Sequence, residues 1–221
     1  MRKTKVNIRI TRYIICIILA IIILNSTVLN HSDNIDFSQK LHHKLGIDTK
    51  YPISKEISRQ IAEYLDEDGI KEPKITMFNE RENKHMQDVK ELLDKIDTIT
   101  AILLIILICL MISEIYNLRN RKEFKERIYS IFKCFINTTI IMIIILIMIG
   151  TLFSSFFSLL HIILFEPGTY SFNPDTEIMI NIFPPEFFFL AAKTIIIELS
   201  VIFVALKILI FTVEKYFVNK E

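Results

Sequence analysis

Two histidines, His85 and His161, have the surroundings that proton-transfer chemistry requires. His85 falls on the apolar stripe of a predicted amphipathic helix, with Asp88 one turn further along, and His161 lies in the apolar run 158–165. An imidazole can accept or donate a proton near neutral pH, and an ionisable side chain in an apolar frame is costly enough to be a functional candidate. The pair could therefore act in general acid/base catalysis. The alternative is that each ring is an amphipathic anchor at a membrane interface.

A metal site is a rival interpretation of the same residues. His85 and Asp88, at positions i and i+3, can share a helix face, and His161 would supply a third ligand. Two imidazoles and one carboxylate are a weak zinc signal, so we predict no metal site. The other histidines lie in a polar stretch in which nothing orients them, and we expect them to be solvated at the surface: His31, His42 and His43.

The composition of the chain points to a membrane. Of its 221 residues, 52% are hydrophobic and 23% are charged, and the mean hydropathy is +0.42, which is unusual for a soluble domain of this size. A net charge of +1 gives no basic field for nucleic acid. Four glycines and three cysteines argue against a Gly-rich phosphate-binding fold and a disulfide-stapled scaffold.

Four apolar runs are each long enough to cross a bilayer, because about 20 residues at 1.5 Å per residue span a hydrocarbon core of about 30 Å. We therefore predict an all-α fold, a four-span transmembrane helical bundle formed by a single integral membrane domain, residues 1–221. The third run is longer than a bilayer requires and must tilt or emerge. The predicted spans are 13–30, 98–116, 134–164 and 187–212.

The distribution of Lys and Arg predicts the orientation of these spans. Residues 1–12 carry five basic side chains and 117–133 carry six, so both segments should be cytoplasmic, together with the tail 213–221. The short segment 165–186 has no Lys or Arg and four acids, so it should be extracytoplasmic. The longer segment 31–97 must then be extracytoplasmic as well. We interpret the first run as a retained anchor, because no signal-peptidase site follows it.

Amphipathic helices are predicted in the extracytoplasmic segment between spans 1 and 2. Apolar residues keep helical spacing from Ile53 to Leu65, and the turn 66–69 ends the pattern. A second helix should begin near Asn79, because Glu82 stands at the capping-box spacing, and it leads into span 2. If that helix were straight, His85 would stand about 20 Å above Thr98. We therefore expect a bend near residues 97–98.

Two stretches of the sequence together resemble the lipoprotein intramolecular transacylases of low-GC Gram-positive bacteria. One is Glu82-Asn-Lys-His85-Met86-Gln-Asp88-Val89-Lys90. The other begins at His161 and Phe165 and continues through Tyr170-Ser-Phe172-Asn-Pro174, Glu177 and Ile182-Phe183-Pro184-Pro-Glu-Phe187-Phe188. The resemblance covers nearly the whole chain. Three positions depart from the family pattern: Tyr170 replaces Trp, and Asn173 and Glu177 replace two Asp.

The resemblance implies an intramolecular acyl transfer on bacterial lipoproteins. The sn-2 acyl chain of the S-diacylglyceryl group would move to the α-amino group of the N-terminal Cys, giving an N-acyl S-monoacylglyceryl, or lyso-form, lipoprotein. The partners implied are the diacylated lipoprotein N-terminus and membrane lipid, with no cofactor and no nucleic acid. The implied location is the cytoplasmic membrane, with the active site outside. His85 and His161 are the implied catalytic residues; the supporting or substrate-binding residues are Asp88, Tyr170, Phe172 and Glu177.

The chemistry of the residues agrees with this implication. A neutral imidazole can take a proton from the α-amine of the substrate, so that the nitrogen attacks the ester carbonyl. The substrate then supplies its own nucleophile and no acyl-enzyme is needed. We assign His161 as the base and His85 as the electrophilic partner. The alternative from another class is a non-catalytic membrane sensor or partner subunit, in which the outer helices bind protein and the histidines respond to pH.

Overall fold

The computed structural model describes residues 2–67, 69, 72–116 and 121–218, and every regular element in those ranges is a helix. The all-α prediction is therefore confirmed. Residues 117–120 and 219–221, parts of the predicted cytoplasmic segments, lie outside the described residues. The helices are α1 Arg2–Ser32, α2 Ile35–Lys44, α3 Ile47–Lys50, α4 Ser54–Asp66, α5 Glu80–Tyr116, α6 Arg121–Thr151, α7 Phe153–Leu164, α8 Met179–Ile182 and α9 Pro185–Val218.

Four of these helices are long and apolar enough to cross a membrane, as the sequence predicted. The candidate spans are Ile10–Ser32 in α1, the 37-residue α5, Tyr129–Thr151 in α6 and Pro185–Leu209 in α9. None of the most apolar stretch of α5 is buried inside the protein, which leaves its side chains free to face lipid.

The third apolar run, 134–164, is two helices rather than one. The first ends at Thr151, Leu152 has non-helical backbone angles, and α7 then carries the run to Leu164. Gly150 and the β-branched Thr151 precede the break. Gly150 is a weaker helix former than the isoleucines before it, and Thr151 is comparable to them. In contrast, α5 is continuous through residues 97–98, where we expected a bend.

The described residues divide into two compact units. The first comprises Met1–Ser26, Thr98–Ile147 and Ile196–Glu221. Within it, the Cys16 thiol donates to the carbonyl of Ile131 at 3.4 Å, and Asn25 Nδ2 donates to Thr100 Oγ1 at 3.0 Å. These bonds tie α1 to α6 and α5 in a setting where water cannot satisfy polar groups.

The second unit comprises Thr27–Asp97 and Met148–Ile195 and has its own apolar core. The predicted stripe of α4 supplies Ile57, Ile61 and Tyr64 to that core, and α4 ends at Asp66, where the sequence predicted a turn. The C-terminal carbonyls of α4 are capped by Lys90, whose Nζ donates to Leu65 O at 3.0 Å and to Glu67 O at 2.7 Å. The remaining core residues are Ile75, Met86, Met179 and Ile182.

Helix α2 was not predicted, and it changes the interpretation of the polar stretch in which it lies. Asn34 caps it by accepting a hydrogen bond from Phe37 N at 2.9 Å. It packs against α4 and buries Leu41 together with His42, which is 1% exposed. The expectation of a solvated surface residue is therefore wrong for His42. It is also wrong for His31, which is half-buried and stacks on the Phe37 ring at 4.2 Å. His43 is exposed, as expected.

Candidate active site

A capping box at the start of α5 places His85. Asn79 N donates to Glu82 Oε2 at 2.7 Å, and Glu82 N donates to Asn79 Oδ1 at 2.9 Å, which is the reciprocal pair that the spacing predicted. The other oxygen of Glu82 accepts a hydrogen bond from Met179 N at 2.7 Å. Glu82 thus fixes both the start of α5 and the start of α8. His85 lies three residues further on and is buried.

His161 is held on α7 by a hydrogen bond to its own helix. Its Nδ1 lies 2.7 Å from the carbonyl oxygen of Phe157, one turn earlier. Because a carbonyl oxygen can only accept, Nδ1 carries the proton in this bond, and Nε2 of the neutral ring keeps a free lone pair. The Phe157 ring lies 4.2 Å from the imidazole and supports its orientation.

The two imidazoles lie side by side. Their ring centroids are 6.3 Å apart and the ring planes are inclined by 22°. Among the described residues, Nδ1 of His85 is buried and has no hydrogen-bond partner. Burial without a charged partner favours the neutral form of an imidazole.

The two histidines meet without the bend in α5 that we expected. Helix α5 is uninterrupted from Glu80 to Tyr116, and His161 lies on α7, beyond the break at Leu152.

Aromatic side chains surround the pair. The Phe165 ring lies 4.8 Å from His85 and 5.4 Å from His161. Phe172 meets His85 edge-on at 5.4 Å, and Tyr170 lies 5.5 Å from His161. Such packing fixes the imidazoles and lowers the local dielectric, which strengthens electrostatic interactions inside the site.

The two histidines open onto a largely apolar cavity of about 340 Å³ within the second unit. A cavity with a few polar groups in an apolar wall is the usual form of a small-molecule site. Most of the helices of this unit contribute apolar residues to the wall; those from α5, α7 and α9 include Leu93, Phe157, Phe188, Ala191 and Ile195. A largely apolar wall of this kind favours an apolar ligand group next to the imidazoles.

An ion pair fastens the loop 166–178, which carries Tyr170 and Phe172, to α5. Arg81 Nε donates to Glu177 Oε1 at 2.8 Å, and a second guanidinium nitrogen pairs with the other carboxylate oxygen. The guanidinium also lies 5.1 Å from the Phe172 ring centre. These bonds, with one from the backbone of Asn173, hold the pKa of Glu177 below its ordinary value of 4.5. The ion pair is therefore present at neutral pH and is lost as the pH falls through that lowered pKa.

The structure brings four of the six sequence-predicted site residues together around one cavity: His85, His161, Tyr170 and Phe172. It does not bring Asp88 there, since Asp88 pairs with Lys84 at 3.3 Å. Glu177 pairs with Arg81 instead of lining the cavity. Within the described ranges, no cluster of three or more His, Cys, Asp or Glu could hold a metal ion.

Sequence reasoning missed three residues that hold the site together. Nothing in the sequence singled out Arg81 or Lys90 as a site residue, although Lys90 is only 2% exposed. His42 Nε2 donates to the carbonyl of Ile182 at 3.0 Å and packs against the Phe187 ring at 5.0 Å. The signal for His42 was the helical spacing of Phe37 and Leu41, which places His42 beside a buried position.

Comparison with known proteins gives a consistent result. The family model described as lipoprotein intramolecular transacylase Lit matches residues 6–188. The in meso structure of the membrane integral lipoprotein intramolecular transacylase Lit from Bacillus cereus is similar to this chain, with a TM-score of 0.73, 20% sequence identity and coverage of 96% of each chain. A structure of that protein with a histidine-to-arginine mutation gives a TM-score of 0.71 and 19% identity, and covers 99% of this chain and 95% of that one. No curated protein matches the sequence. With its four apolar helices and these membrane-integral neighbours, the chain is a multi-pass membrane protein.

Proposed function

The chain belongs to the lipoprotein intramolecular transacylase family and is an acyltransferase, and from this premise we propose its reaction in detail. The substrate is a bacterial lipoprotein whose N-terminal Cys bears an S-diacylglyceryl group. The enzyme moves the sn-2 acyl chain to the α-amino group of the same Cys and leaves an S-monoacylglyceryl group. The reaction takes place at the outer face of the cytoplasmic membrane, and His85 and His161 are the catalytic residues.

The observation that carries this proposal is the hydrogen bond between His161 Nδ1 and the Phe157 carbonyl. It supports a tautomer in which Nε2 is free to act as a base beside the cavity. His85, with its ring centroid 6.3 Å from that of His161, is close enough for the two imidazoles to flank one ester carbonyl.

Each proton in the proposed reaction has a destination. His161 Nε2 takes a proton from the α-amine as the nitrogen attacks the sn-2 ester carbonyl, so a C–N bond forms and the carbonyl oxygen becomes an oxyanion. An N–H of His85 donates to that oxyanion. When the intermediate collapses, the bond to the glycerol oxygen breaks, and the leaving alkoxide takes the proton from His161. The products are an amide and an alcohol, and both histidines return to their starting state.

The intramolecular route explains why the site needs no nucleophile of its own. The amine and the ester belong to one molecule, so binding has only to bring them into a reactive conformation. The apolar wall of the cavity is suited to holding the acyl chain while the carbonyl lies at the histidines.

The test is a reporter lipoprotein produced with and without this protein in a host that otherwise keeps the diacylglyceryl form. Because the transfer is an isomerisation, the intact mass does not change. Fragment ions must show the acyl group on nitrogen, and reactivity of the α-amine towards an acylating reagent must be lost. His85→Ala and His161→Ala should each reduce conversion by about 10²- to 10⁴-fold.

His43→Ala is the matched control, because the His43 side chain is 82% exposed and lies outside the cavity wall. His42→Ala does not serve as a control, since His42 is buried against Ile182 and Phe187. Normal conversion by a well-expressed His161→Ala variant would overturn the catalytic assignment.

A further inference from the structure

The cavity has a polar end, where α1 stops and α2 begins. Helix α1 ends at Ser32, Asn34 caps α2, and Asp33 lies between them. All three residues line the same cavity as His85 and His161. Asp33 is also exposed to solvent, so this end of the cavity opens to water.

Asp33 is the residue at this end whose side chain is available to a ligand. Ser32 Oγ donates to the carbonyl of Leu29 at 2.7 Å, and Asn34 Oδ1 accepts from Phe37 N. The hydroxyls of the two nearby serines are paired with each other at 3.0 Å: Ser38 and Ser58. Within the part of the chain that the structure describes, no hydrogen bond or ion pair involves the Asp33 carboxylate.

The described lining of the cavity contains a single carboxylate. Among the described residues that form its wall, Asp33 is the one acidic side chain, and neither Lys nor Arg is present. A carboxylate in a cavity wall that holds no second carboxylate attracts a cation and disfavours an anion. The other titratable side chains of the wall are aromatic: His31, His85, His161 and Tyr170.

The substrate of the proposed reaction brings such a cation. An α-amino group has a pKa of about 7.7 to 8.0, so most N-terminal Cys residues arrive as the ammonium form at neutral pH. Moving an unpaired ammonium group into an apolar cavity is unfavourable, and a carboxylate at the entrance offsets that cost.

We propose that Asp33 binds the α-ammonium group of the substrate lipoprotein at the solvent-facing end of the cavity. This inference rests on the proposed function, because the ammonium group is the protonated form of the amine that attacks the ester. The carboxylate retains the cation and not the neutral amine. When the ammonium proton passes to solvent at this open end, the carboxylate no longer holds the neutral amine, which attacks the ester inside the same cavity and gives its second proton to His161. Asp33 thereby selects substrates whose amino group is still free.

The experiment measures binding without turnover. Two diacylglyceryl-cysteinyl peptides are made with ether links in place of the acyl esters, one with a free amine and one N-acetylated, and their affinities for the full-length protein in nanodiscs are compared. The wild-type protein should bind the free amine about fivefold more tightly, the upper range for a solvent-exposed ion pair. The preference should decrease as salt is added.

Asp33→Asn should abolish the preference and leave the affinity for the N-acetylated peptide unchanged, which also reports that the variant is folded. Asp33→Glu should keep part of the preference. Asp36→Asn is the matched control, because Asp36 is exposed on the same helix start but does not line the cavity.

The two proposals fail in different ways. Equal binding of both peptides by the wild-type protein, or an undiminished preference in Asp33→Asn, overturns the role of Asp33 even if the ester substrate is converted normally. Failure of the wild-type protein to bind either peptide, with no conversion of the ester substrate, overturns the proposed function and this inference with it. If Asp33→Asn binds neither peptide, Asp33→Glu decides: retained preference supports the inference and its loss rejects it.

Discussion

The two imidazoles of the site differ in what their ring nitrogens contact. His161 has one nitrogen engaged with the Phe157 carbonyl, so its other nitrogen is the free one. His85 has a buried Nδ1 without a partner among the described residues, and its neighbours at the ring faces are aromatic. A ring with a fixed tautomer is suited to accepting a proton, whereas a neutral ring in an apolar wall is suited to donating a hydrogen bond.

Glutamine substitutions should separate these two roles. A Gln side chain has a hydrogen-bond donor and no basic nitrogen. His85→Gln should therefore retain more activity than His85→Ala, whereas His161→Gln should be as inactive as His161→Ala. Initial rates of α-amine loss in the reporter provide the measurement. Partial activity in His161→Gln alone would mean that the two roles are exchanged.

His42 should make the folded protein sensitive to mild acid. Burial lowers the pKa of His42 from its ordinary value of 6.5, and the Ile182 carbonyl and Asp48 oppose that shift only in part. Because the folded pKa is the lower one, the stability linked to His42 is fully present above about pH 6.5 and is lost as the pH falls through the folded pKa.

The thermal midpoint of the wild-type protein should accordingly decrease as the pH is lowered from 7.5 to 5.5. His42→Gln keeps a donor for Ile182 but does not titrate, so its curve should be flatter. Identical slopes for the wild-type protein and His42→Gln would contradict the role of the buried imidazole.

At the scale of elements, the loop 166–178 depends on α5 for its position. Arg81 contacts the loop at Glu177 and at the carbonyl of Gly168, at 3.2 Å. Gly168 has a φ of 94°, a conformation that other residues rarely adopt, so the loop turns sharply where Arg81 meets it. The aromatic side of the site is therefore fixed by a contact outside the cavity.

A double-mutant cycle should reveal this dependence. Arg81→Met and Glu177→Gln should each lower both kcat and the thermal midpoint, because either change frees the loop that carries Tyr170 and Phe172. The double variant should be little worse than the more severe single variant, with a coupling free energy on the order of 1 kcal/mol, since Arg81 is partly exposed. Lys84→Met, which breaks an exposed pair with Asp88, should combine additively with Glu177→Gln. Simple additivity for Arg81 and Glu177 would argue that their ion pair does not hold the loop 166–178 in place.

Local signals in the sequence predicted some elements and not others. The period of α4 and the capping box at Asn79 and Glu82 are short-range patterns, and both are present in the structure. The helix α2 has few apolar residues, and its burial depends on packing against α4, which no local window contains. The break at Leu152 was missed because the run is apolar on both sides of it, so hydropathy does not change there.

For the whole molecule, the bias of basic residues predicts which ends of the helices face the cytoplasm. The candidate site was predictable in its histidines, because they lie in two separate motifs that the sequence predicts on one side of the membrane. Its supporting contacts were not predictable, because Arg81, Glu82 and His42 act through partners about 100 or more residues away.

Cysteine labelling should test this orientation. In a variant with Cys16, Cys109 and Cys134 changed to Ala, Asp175→Cys should react with a membrane-impermeant maleimide in intact cells, since Asp175 is exposed in the predicted outer loop. Asn120→Cys, in the predicted cytoplasmic segment, should react after lysis only. The reverse pattern would invert the topology, and with it the side on which the proposed chemistry occurs.

The carboxylate of Glu82 accepts one hydrogen bond at the start of α5 and another from Met179, 97 residues further along the chain. A signal that normally begins a helix therefore also closes a long loop. The amide proton of Met179 exchanges with solvent deuterium only when that contact opens. The exchange rate of this single proton consequently reports whether the two segments of the second unit, Thr27–Asp97 and Met148–Ile195, are in contact at Glu82. The measurement needs no substrate.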